Sequence, residues 1–360
     1  MNKKTILVCP LDWGLGHATR CVPIITELLN QNFNVLIGAS DRSAELLHTE
    51  FPKLIILPFV GYEISYPERG SMILKMSKQI PHLLSRIASE RREVIKFVQD
   101  HHIDGIISDN RFGLGIAGVL SVYITHQIRI AAPPRFRFIE PVLRYLHRII
   151  FNRFDEVWIP DYLGDNNLSG SLSHNQKLPA HAHFIGPLSR FDRAVSSYEF
   201  PDTDLLVIIS GPEPQRTKFE WMILRQLDGR SEKVLIVRGA PESQRKVKVS
   251  ENITVVDHLP ALELNQAICN AKIIVARSGY STIMDLSKLG KKAIFIPTPG
   301  QTEQEYLAAL LMDKNVCYSE FQDGFDLERS LSMVSNYTGF QPIEQGGNAL
   351  KERIQKLFGS

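Results

Sequence analysis

The sequence predicts an α/β protein of two domains built on mostly parallel sheets, and three observations point there. Its 360 residues are more than one ordinary core organises. Short apolar runs alternate with helical periodicities along nearly the whole chain, the rhythm of βαβ units covered on both faces. Between them, residues 163–201 are rich in Gly, Ser, Asn and Pro and keep no period, which places a joint near 186–198.

In the first half the expected strands are 5–9, 34–38, 54–58, 105–108, 121–125 and 156–159. Helix 17–30 follows the first strand, and 72–100 reads as a long helix interrupted near Pro81. The second half offers strands 205–210, 233–238, 253–256, 272–275 and 293–296, with helices over 219–226, 282–288 and 303–314. The expected domains are 1–190 and 198–345, and a helix within 346–360 packs against either.

Composition narrows the function class. A hydrophobic fraction of 44% with 22% charged residues is that of a soluble globular chain. A net charge of +2 gives no whole-molecule attraction to nucleic acid. The four cysteines, Cys9, Cys21, Cys269 and Cys317, are widely spaced, against a zinc site or disulfide framework and for a reducing compartment. The apolar run 6–10 is too short for a signal segment, and no run approaches the length of a membrane span. A cytoplasmic protein is expected.

The most informative run is Ala276 to Asp285, where a buried strand empties through Arg277, Ser278 and Gly279 into a helix beginning near Tyr280, Ser281 and Thr282. Such a helix start presents free N–H groups and the positive end of its dipole, a place for an anion such as a diphosphate. Asp285, a helical turn on, is suited to a ribose diol. Two further turns would share that edge. Ser210 and Gly211 permit a close backbone approach and Arg216 a contact to phosphate; a capped surface turn is the plainer reading. Gly300, Glu303 and Gln304 open another helix, where the acids either bind sugar hydroxyls or only complement the dipole. His258, at the end of a strand, would meet a nucleobase through its backbone.

In the first half, Gly14, Gly16 and His17 follow the first strand and open the first helix. A third glycine and the ribose acid of a dinucleotide fingerprint are missing, so an NAD site fits poorly. His17 is a candidate general base, its ordinary pKa near 6.5 suiting proton removal at neutral pH. Asp109 ends a buried strand at the same edge and would orient it, or simply cap the next segment. Asp12 is a weaker candidate for that role. His126 closes another strand and either lines the acceptor side or is a satisfied loop residue. Residues 129–153 carry six arginines against Glu140, with Val142, Tyr145, Leu146, Ile149 and Ile150 on one helical face. That suits an anionic membrane surface, or core with a basic rim.

Taken together these motifs resemble the GT-B glycosyltransferases, within them the family 28, MurG-like group. Arg277, Ser278, Gly279, Thr282, Asp285, Gly290, Ile296, Pro297 and Gln304 follow the group's donor-domain pattern. Gly14 to His17 is similar to its glycine-rich loop, and Asp109 to the acid that partners the histidine in related plant-type enzymes. The resemblance implies two Rossmann-like α/β/α domains facing across a cleft, and a nucleotide-sugar, usually a UDP-sugar, held by the C-terminal one. By the same implication Asp285 binds the ribose, residues 278–282 the diphosphate, and Glu303 and Gln304 the sugar. Three departures stand out: Asp285 where the group more often has Glu, Glu305 where it has a second glutamine, and prolines in the loop 210–216.

The expected reaction is an inverting, metal-independent transfer of a hexose, N-acetylglucosamine among the candidates, to an acceptor hydroxyl in envelope glycan or glycolipid synthesis. His17 and Asp109 deprotonate the acceptor, while the 279–282 helix start and Arg216 or Arg277 stabilise the leaving diphosphate. No metal and no resident cofactor are expected, the nucleotide-sugar being a co-substrate. The partners are that donor, a glycan or lipid-linked acceptor and an anionic membrane surface, which would make the protein peripheral at the inner face. A sugar-nucleotide epimerase and a silent nucleotide-sugar-binding subunit are the rivals.

Overall fold

The computed structural model describes residues 3–62, 72–130, 138–193, 201–211, 213–240, 245–341 and 348–359, with the side chains of 72–80 left aside. The chain divides into two compact units, Met1–Leu188 together with Glu344–Ser360, and Ser189–Ile343. Residues 194–200 of the expected joint lie outside the described residues, as do Pro212, Arg135 and Arg137.

In the first unit seven strands among the described residues form one sheet. They are β1 (Thr5–Pro10), β2 (Asn34–Ala39), β3 (Ile55–Pro58), β4 (Gly105–Asp109), β5 (Leu120–Ile124), β6 (Glu156–Ile159) and β7 (Ala182–Phe184). Their order is β3-β2-β1-β4-β5-β6-β7, every pairing parallel. The intervening helices are α1 (Leu15–Asn30), α2 (Asp41–Glu50), α3 (Met72–His101) and α4 (Glu140–Phe151). Strands buried on both faces explain the continuous apolar runs by which β1 and β4 are read. Leu7, Ile106, Tyr123 and Val157 from these strands meet Phe151 and Phe154 in the core.

Pro81 sits inside α3 without interrupting it. Proline costs a helix one hydrogen bond and some crowding, about 3 kcal/mol, which a 30-residue helix absorbs over its many other bonds. The C-terminal helix Ala349–Phe358 belongs to this unit. Phe358 is buried edge-on to Phe33, and Arg353 holds Glu156 with two N–H groups.

The second unit repeats the plan. Its strands are β8 (Thr203–Ile208), β9 (Val234–Val237), β10 (Lys246–Lys248), β11 (Ile253–Val256), β12 (Ala271–Ala276), β13 (Ala293–Phe295) and β14 (Tyr318–Ser319). They are ordered β10-β11-β9-β8-β12-β13-β14, parallel except for the edge strand β10. Helices α5 (Gln215–Gln226), α6 (Ala261–Asn270), α7 (Tyr280–Leu289), α8 (Thr302–Asp313) and α9 (Leu327–Met333) cover it. Val207, Ile236, Val275 and Ile294 from the inner strands pack with Phe219 and Ile223 of α5. Helix α7 stops at Gly290, whose φ of 62° is the left-handed turn that a glycine makes at least cost.

Candidate active site

Both sheets reverse their winding at one internal pair of strands, β1 beside β4 and β8 beside β12. Open α/β sheets take their ligands outside the carboxyl ends of such a pair, because the crossovers there diverge and leave a crevice.

In the first unit the pair brings His17 and Asp109 together. Pro10 of β1 is in register with Asp109 of β4. The chain turns at Gly14, which has a φ of 99° and no side-chain cap, and enters α1. His17, in the first turn, has Nδ1 3.2 Å from Asp109 Oδ1. The carboxylate is fully buried and the imidazole is 16% exposed.

A third group, absent from the sequence reading, completes the cluster. Arg20, one turn along α1 and only 3% exposed, donates Nε–H to Asp109 Oδ2 at 2.6 Å and an Nη2 hydrogen to Oδ1. Nη2 also lies 2.8 Å from His17 Nδ1. The signal was present in the i, i+3 spacing of His17 and Arg20. Burial alone would raise the Asp109 pKa, but Arg20 and then His17 hold it down to about 2. His17 is pushed below its ordinary value, first by burial and then by the Arg20 cation, against the pull of Asp109.

Asp12 does not share this cluster; its Oδ1 accepts from Tyr62 N–H at 3.4 Å. His126 is buried after β5, near enough to influence His17 electrostatically. Gly14 is exposed and Gly16 partly so, and Gly16 accepts from the Thr19 hydroxyl at 3.0 Å. A buried clamp missed by the sequence reading fixes the neighbouring loops. Arg111 pairs with Glu90 at 2.5 Å and donates to the carbonyls of Pro10 and Val60, while Tyr62 donates to Glu90 at 2.6 Å.

In the second unit β8 leads to Ser210 and Gly211, and β12 leads to Arg277, Ser278 and Gly279 before α7. Gly279 is the extended N-cap of α7 and no side chain caps the helix, so its first turn carries the dipole's positive end at this edge. Tyr280 is buried, while Ser281 and Thr282 are partly exposed. Gly300, exposed at the start of α8, donates its N–H to Glu305 Oε1 at 2.9 Å. Glu303 and His258 are both partly exposed.

Several expected ligand groups are occupied within the protein. Arg277 is turned inward rather than toward a phosphate, and is 1% exposed. It donates to the carbonyls of Ile296, Pro297 and Gln215 and to Gln322 Oε1, and its guanidinium lies 4.2 Å over the Phe219 ring. Burial pushes its pKa down to about 10. The flat guanidinium finds several carbonyls under the loop, and a buried charge stays where its donors are met. Ser278 donates its hydroxyl to the Gln304 carbonyl at 2.8 Å. The Gln304 side chain accepts from Thr298 N–H and donates to Gln301, so it shapes the loop before α8. Arg216, partly exposed in the first turn of α5, pairs with the exposed Glu213 at 2.8 Å.

Asp285 keeps a carboxylate at the edge. It accepts from the Ser189 hydroxyl at 2.6 Å, and burial raises its pKa to about 7 against the lowering effects of Ser189 and Arg190. No group of three His, Cys, Asp or Glu side chains among the described residues could hold a metal ion. Among the same residues no helix is long and apolar enough to cross a membrane.

Helix α4 turns part of its apolar face outward. His147 and Phe151 face inward, whereas Val142, Tyr145 and Leu146 are each at least half exposed, beside exposed Arg144 and Arg148. Arg129 pairs with Glu140 at 2.9 Å.

Two units of this topology give the chain the GT-B fold. Residues 217–335 match the glycosyltransferase family 28 C-terminal domain, and the protein is a glycosyltransferase. The chain is 24% identical over 325 residues to an uncharacterized glycosyltransferase of Methanosarcina acetivorans, covering 87% of this chain and 84% of that one. It is 30% identical over 128 residues to the UDP-N-acetylglucosamine--N-acetylmuramyl-(pentapeptide) pyrophosphoryl-undecaprenol N-acetylglucosamine transferase of Rickettsia massiliae, a match covering 33% and 34% of the two chains. The crystal structure of MurG from Acinetobacter baumannii superposes with a TM-score of 0.58 at 13% identity, covering the whole of both chains.

Proposed function

We infer that the protein transfers a sugar from a UDP-sugar, N-acetylglucosamine being the first candidate, to an acceptor hydroxyl with inversion and without a metal. The observation that carries this reading is the contact between His17 and Asp109 at the switch point of the first sheet. His17 takes the acceptor's proton and Asp109 steadies the imidazolium that results. The hydroxyl oxygen forms a bond to the anomeric carbon as the bond to the diphosphate breaks. The departing negative charge collects at the α7 N-terminus, with Arg216 as the side-chain candidate to share it. Asp285 meets the ribose, while Glu303 and the 300–304 loop meet the sugar.

The choice of donor is supported by the similarity to the Rickettsia enzyme, a UDP-N-acetylglucosamine transferase. The acceptor of that enzyme, a pyrophosphoryl-undecaprenol, is lipid-linked. An acceptor of that kind agrees with the exposed apolar and basic surface of α4, which suits an anionic membrane and a peripheral position at its inner face.

A panel of UDP-, GDP- and TDP-sugars in a thermal-shift assay tests the donor. A ligand at a hundred times its Kd should add about 2.7 kcal/mol of stability, and a flat response to the whole panel would end the reading. His17→Ala should leave UDP affinity within about twofold while turnover falls by about 10²- to 10⁴-fold. Turnover that persists in excess EDTA is expected of a metal-independent transfer. Epimerised sugar appearing without any acceptor would favour an epimerase instead.

A further inference from the structure

We propose that Arg20 sets the tautomer of His17, holding its proton on Nε2 while the enzyme rests and thereby governing when the histidine can act as a base. The inference rests on the reading of His17 as the base and adds a positioning residue to it. Its ground is a conflict at one nitrogen. Nδ1 lies 2.8 Å from Arg20 Nη2 and 3.2 Å from Asp109 Oδ1. A guanidinium only donates and an ionised carboxylate only accepts. Nδ1 therefore meets Arg20 with its lone pair, or meets Asp109 with a proton, and cannot do both. A proton on Nδ1 would point two N–H groups at each other across the shorter contact. The closer approach is that of Arg20, and Asp109 already has two N–H groups from the same guanidinium.

The lone pair then belongs on Nδ1 and the proton on Nε2, the nitrogen left for an acceptor. In that form His17 donates to a hydroxyl and cannot take its proton. Base catalysis needs the other tautomer: Nε2 releases its proton to water, Nδ1 gains one from water and donates it to Asp109, and the Arg20 arm gives way. The net charge is unchanged. The groups that bear on His17 are Arg20 from α1, Asp109 from β4 and His126 from the segment after β5. Arg20 and His126 disfavour the imidazolium and Asp109 favours it, so removing Arg20 leaves only His126 to oppose the carboxylate.

The test is ¹⁵N-histidine NMR on the full chain, with the His17 signals assigned by their loss in His17→Gln. The wild type should show the Nε2–H pattern. Arg20→Gln should move it to Nδ1–H and raise the midpoint of the His17 titration by about one pH unit or more. Arg20→Lys keeps a cation for Asp109 but lacks the second arm, and should move the tautomer in the same direction. An Nδ1–H pattern in the wild type overturns the proposal, even if both variants fail to fold. So does an unmoved pattern in a folded Arg20 variant. None of these readings depends on turnover, whereas normal transfer by His17→Ala would remove the base and leave the tautomer result standing.

Discussion

Ser189 donates its hydroxyl to Asp285 across 2.6 Å, so the acid proposed to meet the ribose is held by the first residue of the second unit. A nucleotide that uses this carboxylate competes with Ser189 or shares it. The carboxylate is also only half ionised near neutrality, because burial lifts its pKa to about 7.

Donor affinity should therefore rise with pH. A carboxylate accepts hydrogen bonds from a diol better than the neutral acid does. Between pH 6 and 8 the ionised share of a group titrating near 7 grows about tenfold, which bounds the gain. Calorimetric titration with UDP across that range measures it, and Asp285→Asn should flatten the slope. For the unliganded fold the sign is opposite. A carboxyl raised from 3.8 to about 7 contributes stability that is lost as pH climbs through that window.

Arg277 offers a sharp contrast between a ligand and a strut. Arg277→Met should cost about 3 kcal/mol or more of stability, by stranding the carbonyls it serves and vacating the face of Phe219. UDP affinity of the folded fraction should change little. A variant with unaltered melting temperature and lost UDP binding would return Arg277 to the donor site.

His147 makes the first unit sensitive to acid. Burial against Phe151 lowers its pKa to about 4. The folded state thus resists a proton that the unfolded chain accepts below 6.5. Stability should fall as pH drops from about 6.5 to 4, by about 3 kcal/mol at most. His147→Phe should remove most of that slope in urea melts at pH 7, 5.5 and 4.5.

The α4 surface predicts a salt-dependent membrane interaction. Sedimentation with vesicles containing phosphatidylglycerol should capture the protein, and neutral vesicles should capture less. Tyr145→Glu with Leu146→Glu should abolish capture without lowering the melting temperature, because both side chains are exposed. Equal capture by both vesicle types would dismiss the electrostatic part.

Much of this could be read from local chemistry. The inner strands are continuous apolar runs; Asp109 is the last residue of β4, and His17 lies in the first turn of the helix that follows β1. What escaped reading depends on partners far along the chain. Arg277 looks like a phosphate ligand until Gln215 and Gln322 are seen around it, 62 and 45 residues away in sequence. The strand β7 is three residues long, too short to show a period, so its pairing with β6 and not propensity decides it. The apolar stripe of α4 gives no sign of which side it turns outward, since one period serves a core and a surface alike.

Because the chain leaves the first unit after Leu188 and re-enters it at Glu344, the second unit is an insertion between two parts of the first. On the ribosome, residues 189–343 emerge and can fold while the first unit still lacks its closing helix. The pocket around Gly105 and Phe33 waits for Phe358, which is synthesised only after the whole second unit. Chains cut short before this helix would thus carry a finished second unit and an open first one, a defect that quality control could recognise by exposed hydrophobic surface.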